Sequence, residues 1–217
     1  MDVGIIGGTG PAGRGLGLRL AAAGMSVGIG SRDPARAASV VGEIAAAWPD
    51  RIEGALAGVG NGEAAGAALV VLATPWEGAA RTASELADRL EGKVLVSMAN
   101  ALVREGREML ALVHPRGSVA AALQAALPRT KVSAAFHHLP AREMQDLDSG
   151  LIADVLVCAD DPEATAETMS LVERIEGLRP LDAGSLGQAA AVEAFTAVCV
   201  TLNIRYRAHS TLKLAGI

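Results

Sequence analysis

Three of the glycines near the amino terminus lie between an apolar run at residues 3–6 and a stretch rich in Ala and Leu. At this spacing Gly8 permits a tight turn, and Gly10 lets the backbone approach a pyrophosphate group. Gly13 lets a helix pack on the preceding strand, and Pro11 suits a first helical turn, which needs no N–H there. The pattern predicts a dinucleotide-binding loop formed by Gly8, Thr9, Gly10, Pro11, Ala12 and Gly13. The alternative is a strand–turn–helix junction without a ligand.

The residues after the second apolar run indicate which dinucleotide fits. An NAD site presents Asp or Glu there to bind the ribose hydroxyls. This chain has Ser31 and Arg32 instead, with Arg36 one helical turn later. Arginine holds phosphate with a planar, charged fork, so these three residues favour NADP over NAD. We expect Asp33 to cap the helix that Pro34 begins rather than to bind ribose. Surface arginines without function are the alternative.

Three later segments are predicted to follow strands at the edge of the sheet that carries the glycine loop. Ligands bind at the carboxyl ends of the strands in such sheets. We therefore expect these residues to wall the cofactor site: Thr74, Pro75, Trp76, Ala99, Asn100, His137, Leu139 and Pro140. Adjacent residues of a strand point to opposite faces, so at most one of His137 and His138 should face the site. Trp76 covering a helix end and a purely structural histidine are the alternatives.

Short β-rich runs alternate with Ala-rich helical stretches over residues 1–140. The pattern predicts strands near 2–7, 25–30, 52–56, 68–73, 93–98 and 132–137, and helices near 11–23, 34–48, 62–66, 77–90 and 118–127. The apolar runs do not alternate with polar residues, which is typical of parallel strands covered on both faces. The sequence therefore predicts an α/β domain with a Rossmann-type, doubly wound parallel sheet.

Residues 141–217 are predicted to form a small C-terminal α/β region. It has a strand near 154–158, a helix opened by Pro162, a short strand near 178–181 and a long helix over about 186–211. That helix is apolar almost all round, with Val192, Phe195, Cys199 and Leu202 on one face and Ala191, Ala194 and Val198 on the other. Such a helix needs cover on both sides. The cover is either the same chain or, in a homodimer, a second copy.

Composition excludes several classes of protein. Hydrophobic residues make up 51% of the 217 residues, which excludes a disordered chain. A net charge of −5 and only 2% aromatic residues argue against nucleic-acid binding. The start of the chain lacks the pattern of a secretory signal, and the apolar tract 189–204 is expected to fall short of a membrane span because Glu193 and Asn203 interrupt it. Two separated cysteines suggest free thiols, no zinc site and a cytoplasmic location.

Five segments together resemble the NADPH-dependent coenzyme F420 reductases: Gly7 to Gly10, Gly30 to Arg32, Pro75 to Glu77, His137 to Ala141 and the tail from Gly177 to Gly184. The resemblance implies a homodimer that passes a hydride between NADP and the deazaflavin of coenzyme F420. It also implies that Thr9, Ser31, Arg32 and Arg36 are the NADP residues, and that His137 and Leu139 lie on the deazaflavin side.

The residue types are compatible with this activity. Hydride transfer requires two stacked planar rings and no strong acid or base, and the chain has no evident nucleophile triad or metal cluster. His137 is the expected catalytic residue, and either its ring or a backbone N–H is expected to offer a hydrogen bond to the deazaflavin ring. The alternatives are an NADPH-dependent reductase of a flavin or of a small imine or oxo acid, and a non-catalytic NADP(H)-binding protein. An oxo-acid reductase needs a proton donor, and the long terminal helix expected over about 186–211 offers only Glu193 and His209 as candidates, with Lys213 nearby.

Overall fold

A computed structural model describes residues 1–217 and contains ten strands and nine helices. The strands are β1 (Val3–Ile6), β2 (Val27–Ser31), β3 (Leu56–Gly60), β4 (Leu69–Leu72), β5 (Val94–Ser97), β6 (Leu102–Glu105), β7 (Glu108–Ala111), β8 (Lys131–Ala134), β9 (Ala153–Ala159) and β10 (Leu178–Asp182). The helices are α1 (Pro11–Ala22), α2 (Pro34–Ala47), α3 (Asn61–Ala64), α4 (Trp76–Ser84), α5 (Ala87–Leu90), α6 (Val119–Ala126), α7 (Ala141–Met144), α8 (Pro162–Glu173) and α9 (Leu186–Tyr206).

Eight strands form one sheet in the order β10-β9-β8-β5-β4-β1-β2-β3. Every neighbouring pair is parallel except β8 with β9. The chain builds outward from β1 to β3, returns to β4 and then builds in the other direction. The β1–β4 boundary is therefore the switch point, where such folds bind ligands. The predicted doubly wound α/β class is confirmed, with one antiparallel pair.

Helices cover the sheet on both faces. Ile5 and Val71 belong to a core shared with α1 and α8, whereas the next residue of β1, Ile6, and Val70 of β4 belong to a core with α4, α6 and α9. Neighbouring residues of one strand thus face different cores, which explains why the runs are apolar without alternation.

The third strand is displaced from its prediction. It spans Leu56–Gly60 rather than residues 52–56. Glycine disfavours strands in general, and the true strand contains Gly58 and Gly60. A Cβ at Gly58 would lie 2.4 Å from the backbone of Ala37 in α2, so only glycine permits this close packing. The predicted position of the strand was wrong because it depends on a tertiary contact, the packing of Gly58 against α2.

Other boundaries differ as well. Strand β8 ends at Ala134 rather than at residue 137, and the helix expected over 77–90 is divided into α4 and α5. The antiparallel hairpin of β6 and β7, joined through Gly106 at a φ of 58°, was not predicted.

The boundary proposed at residue 140 lies between β8 and β9, but β9 and β10 continue the same sheet. The division into two regions therefore stays a prediction.

Helix α9 ends at Tyr206 rather than at residue 211, because Arg207 adopts a left-handed conformation with a φ of 51°. The helix has 21 residues and contains an 18-residue window with a mean hydropathy of 1.3, so it is long and apolar enough to cross a membrane. The expectation that this tract falls short is therefore wrong on length and composition. Here it packs against α6, β7 and β9 of its own chain. Its buried Glu193 accepts hydrogen bonds from the N–H groups of Val119 and Ala120 at the start of α6, at 2.9 and 3.1 Å.

Candidate functional site

A cleft of about 620 Å³ opens at the carboxyl edge of the sheet, at the switch point between β1 and β4. Most of the residues predicted to bind cofactor line it: Thr9, Gly10, Pro11, Ala12, Ser31, Arg32, Arg36, Thr74, Pro75, Trp76, Ala99 and Asn100. Gly8, Gly13, His137, Leu139 and Pro140 do not line it. The fold thus brings segments from three βα connections and from the end of β5 into one cavity.

The glycine loop joins β1 to α1 and leaves the start of that helix open. Gly10 occupies the N-cap position without a side-chain cap, so the amides of the first turn are available to an anion. No atom except the Gly7 carbonyl oxygen lies within 4.0 Å of a Cβ built at Gly10, which leaves room for a ligand against the backbone. A Cβ at Gly13 would lie 2.6 Å from Gly8, so these two glycines shape the loop by packing on each other.

The end of β2 carries the basic part of the cleft. Arg32 and Arg36 are exposed, and neither is within ion-pair distance of a carboxylate, so both guanidinium groups are available to an anion. The Ser31 hydroxyl oxygen accepts a hydrogen bond from the Asp33 N–H at 3.1 Å. The Asp33 carboxylate accepts from the Ala35 N–H at 3.0 Å, which confirms that this residue caps α2. The acidic group is therefore held at the helix terminus.

Polar atoms without partners mark the opposite wall. Thr74 Oγ1, Trp76 Nε1 and Asn100 Oδ1 are buried, and none has a hydrogen-bond partner. Buried polar atoms in folded proteins are normally paired, and an unpaired one is costly. Two of these atoms can donate and two can accept. The wall therefore suits a ligand group that both donates and accepts hydrogen bonds.

The two adjacent histidines lie in a turn after β8 and not on the strand, so the argument from alternating strand faces does not apply. Both are buried, with 5% and 4% exposure. His138 Nε2 lies 2.7 Å from the carbonyl oxygen of Asp154, whereas both ring nitrogens of His137 lack partners. Burial, with a smaller effect of His138, lowers the pKa of His137 to about 3. His137 is therefore a neutral imidazole near neutral pH.

His137 is connected to the cleft through Asn100. The Asn100 Nδ2 group donates to the carbonyl oxygen of His137 at 3.3 Å and to that of Met98 at 3.4 Å. Leu139 and Pro140 follow in the chain, the first buried and the second half-buried. The histidine turn therefore lies behind the wall that Asn100 forms.

Comparison with known proteins identifies the family. Residues 2–101 match the family described as NADP oxidoreductase, coenzyme F420-dependent. The chain is 34% identical to the F420-dependent NADP reductase of Methanocaldococcus jannaschii, over 97% of this chain and 96% of that protein. The chain belongs to the F420-dependent NADP reductase family.

Two further comparisons agree with membership of the F420-dependent NADP reductase family. The F420-dependent NADP reductase of Methanothermobacter thermautotrophicus is 33% identical, over 97% of this chain and 92% of that protein. A crystal structure described as an F420-dependent NADP reductase from Arthrobacter sp. FB24 aligns with a TM-score of 0.81 and 26% identity, and both chains are covered completely. The similarity thus includes the C-terminal strands and helix α9.

In this member of the F420-dependent NADP reductase family, the cleft also has lining residues that the sequence patterns did not indicate: Asn61, Ala73, Gly78, Arg81, Thr82 and Leu102. Asn61 follows β3, whose position was mispredicted, and Leu102 begins the unpredicted hairpin. Arg81 and Thr82 lie on α4 beyond the segment recognised after β4. The sequence did offer one signal for Asn61, since a polar residue directly after the strand glycines Gly58 and Gly60 is expected at the carboxyl edge of the sheet.

Proposed function

We propose that this chain transfers a hydride between NADP(H) and the deazaflavin of coenzyme F420. The observation that carries the proposal is the 34% identity, along nearly the whole chain, with a protein named F420-dependent NADP reductase. The cleft supports it because a glycine loop, two unpaired arginines and unpaired buried polar atoms line one cavity. An alternative reductase of a flavin, imine or oxo acid has no comparable support.

The nucleotide half of the proposal uses the part of the cleft near β1 and β2. The uncapped first turn of α1 binds the pyrophosphate through backbone N–H groups and the helix dipole. The side chains of Ser31, Arg32 and Arg36 hold the 2′-phosphate of NADP, which NAD lacks. The remaining residues of the loop, from Gly8 to Gly13, contribute by setting the backbone conformation that lets the pyrophosphate come close to the main chain.

The nicotinamide lies against the wall that follows β4 and β5. A carboxamide group donates and accepts hydrogen bonds, and this matches the unpaired atoms of Thr74, Trp76 and Asn100. Pro75 and Ala99 supply apolar surface beside them. Pairing these buried atoms with the ligand removes the penalty of leaving them unsatisfied.

The deazaflavin half rests on His137, Leu139 and Pro140. His137 does not line the cleft, so its role as the catalytic residue requires the Asn100 wall to move aside when coenzyme F420 binds. Its ring nitrogens, which have no protein partner, then donate a hydrogen bond to the deazaflavin ring as charge develops on it. Because its pKa is lowered to about 3, it makes this bond as a neutral imidazole and delivers no proton of its own near neutral pH. Leu139 and Pro140 follow His137 in the same turn outside the cleft, and the same movement is required for them to exclude water from the ring face. The bond from Asn100 to the His137 carbonyl joins the two halves of the site.

The two bound rings supply the reactivity, the dihydronicotinamide as hydride donor and the deazaflavin as acceptor. The protein's part is to stack the rings at close range and to keep water out. Trp76 and Asn100 fix the nicotinamide side, and His137 fixes the deazaflavin side. Positioning and hydrogen bonding, rather than proton transfer by a side chain, then govern the rate.

The proposed assembly is a homodimer in the cytoplasm. Val192 and Cys199 of α9 face the core of their own chain, whereas Phe195, Val198 and Leu202 are 40%, 49% and 41% exposed. Exposed side chains of the β6–β7 hairpin and the segment after it extend this apolar surface: Val103, Leu110, Leu112 and Val113. Because β7 packs against α9, these exposed apolar side chains lie on neighbouring elements, and large exposed apolar surfaces are typical of a subunit interface. Both cysteines are unpaired and buried, which suits a reducing compartment.

Label transfer tests the proposed activity. NADPH carrying deuterium at C4 is mixed with oxidised coenzyme F420, and the deazaflavin and the solvent are analysed for the label. Direct transfer places deuterium on the deazaflavin and bleaches its visible absorbance. FMN and a panel of oxo acids serve as competing acceptors under the same conditions. Label in water, or unchanged absorbance with coenzyme F420 alongside reduction of another acceptor, overturns the proposal.

A further inference from the structure

Asn61 lies where the glycine loop meets the phosphate-binding end of β2. It follows Gly60, the last residue of β3, and Gly60 pairs with Ser31 across the parallel strands. Asn61 lines both the main cleft and an adjoining pocket of about 340 Å³. Ser31, Arg32 and Thr82 also line both cavities. The residue therefore sits beside the groups that distinguish NADP from NAD.

One end of the Asn61 amide is already used. Its Oδ1 accepts a hydrogen bond from the Gly7 N–H at 3.1 Å, across 54 residues of sequence. Gly7 has a φ of 69°, so this bond fixes an unusual turn at the start of the glycine loop. A Cβ at Gly30 would lie 3.0 Å from the same oxygen, so β2 packs tightly against it. The amide is thus held in one orientation.

The other end of the amide is free. Nδ2 donates to no protein atom, and it is absent from the buried polar atoms that lack partners. An amide nitrogen carries two donors and no acceptor capacity, so it suits an acceptor-only group such as phosphate. Because Oδ1 is tied to Gly7, Nδ2 is presented toward the cleft and the adjoining pocket without further ordering of the side chain.

We infer that Asn61 is a specificity-determining residue, whose Nδ2 donates a hydrogen bond to the 2′-phosphate of NADP while Oδ1 holds the glycine loop. The inference rests on the proposed placement of that phosphate beside Ser31 and Arg32. One side chain then couples two parts of the nucleotide site, because the bond that orients the donor is the bond that shapes the pyrophosphate loop. Loss of the donor affects only the nucleotide that carries the extra phosphate.

The variant Asn61→Asp separates the two roles. A carboxylate retains the acceptor for the Gly7 N–H, but it replaces the donor with a negative oxygen that repels phosphate. Dissociation constants are measured by calorimetry for NADPH, NADH and adenosine 2′,5′-bisphosphate. The preference for NADPH over NADH is expected to fall by about 10- to 100-fold, since a hydrogen bond to a charged group is lost. NADH affinity should change by less than about threefold.

Two further variants complete the test. Asn61→Ala removes both functions, so it should weaken both dinucleotides and still lower the preference for NADPH by about fivefold or more. Glu63→Gln changes an exposed charge on the same short helix outside both cavities and should leave the preference within about threefold of wild type. A preference unchanged in Asn61→Asp and Asn61→Ala overturns the inference. A wild-type chain that binds both dinucleotides equally instead overturns the NADP assignment itself.

Discussion

Replacing Asp154 with alanine is expected to destabilise the fold beneath the histidine turn. The Asp154 carboxylate is fully buried at the start of β9. It accepts hydrogen bonds from Arg179 Nε and Nη2 at 2.8 and 2.7 Å, from Lys213 Nζ at 2.9 Å and from the Leu214 N–H at 2.6 Å. Its own carbonyl oxygen contacts His138 at 2.7 Å. One carboxylate therefore ties the C-terminal tail to the strand that supports the proposed deazaflavin side.

The magnitude follows from these contacts. Removing one partner of a buried ion pair costs about 3 to 5 kcal/mol when the other charge is left buried. Here the side chains of Arg179 and Lys213 are 37% and 50% exposed, so water can solvate them in the variant. We therefore expect the free energy of unfolding to fall by about 2 to 3 kcal/mol. For a chain of this length the melting temperature should fall by about 5 to 10 °C.

The effect should depend on pH. Hydrogen bonding to the Arg179 guanidinium holds the pKa of Asp154 well below its usual range, despite the opposing effect of burial. A depressed folded-state pKa gives stability that is fully present above the unfolded pKa of about 4 and is lost as the pH falls further. Burial lowers the pKa of His137 and His138, so both the wild type and the variant lose stability in acid. The difference between the two proteins isolates Asp154.

Urea unfolding followed by circular dichroism measures this difference at several pH values between 7.5 and 3.5. The control is Asp148→Ala, because Asp148 is 72% exposed in its ion pair with Arg51. Exposed pairs contribute little, so the control should change stability by less than about 0.5 to 1 kcal/mol. A loss for Asp154→Ala no larger than that of the control, or a difference that stays constant down to pH 3.5, refutes the reasoning.

Four other predictions concern the site and the assembly. Arg32→Ala should weaken NADPH binding about tenfold or more through loss of a charge-assisted hydrogen bond, with NADH little changed; calorimetry showing equal losses contradicts the phosphate role. His137→Ala should slow turnover by about 10- to 1,000-fold without abolishing it, and complete inactivity in a folded variant would indicate an obligatory acid. Because burial lowers the pKa of His137 to about 3, the wild-type turnover number should show no ionisation of this residue near pH 6.5. Val198→Asp should yield monomers in light scattering at micromolar concentration, and a wild type that is already monomeric rules out the dimer.

Local features of the sequence were sufficient for the nucleotide side of the site. The glycine loop, the Asp33 cap and the pair Arg32 and Arg36 each depend on residues within a few positions of one another. A helix start, a tight turn and a strand end are local events, and the residue types that permit them are few. Their meeting in one cleft follows from parallel strands, since all the carboxyl ends reach the same edge.

Tertiary structure decided the rest. Gly58 belongs to a strand only because α2 packs closely on it, and this placement brings Asn61 to the glycine loop. The lowered pKa of His137 comes from burial by segments distant in sequence, and the same burial holds this residue behind Asn100 rather than in the open cleft. Burial and long-range hydrogen bonds depend on which elements pack together. The sequence therefore determined which local turns and caps form, and only the packed sheet decided which of its polar residues are exposed to a ligand.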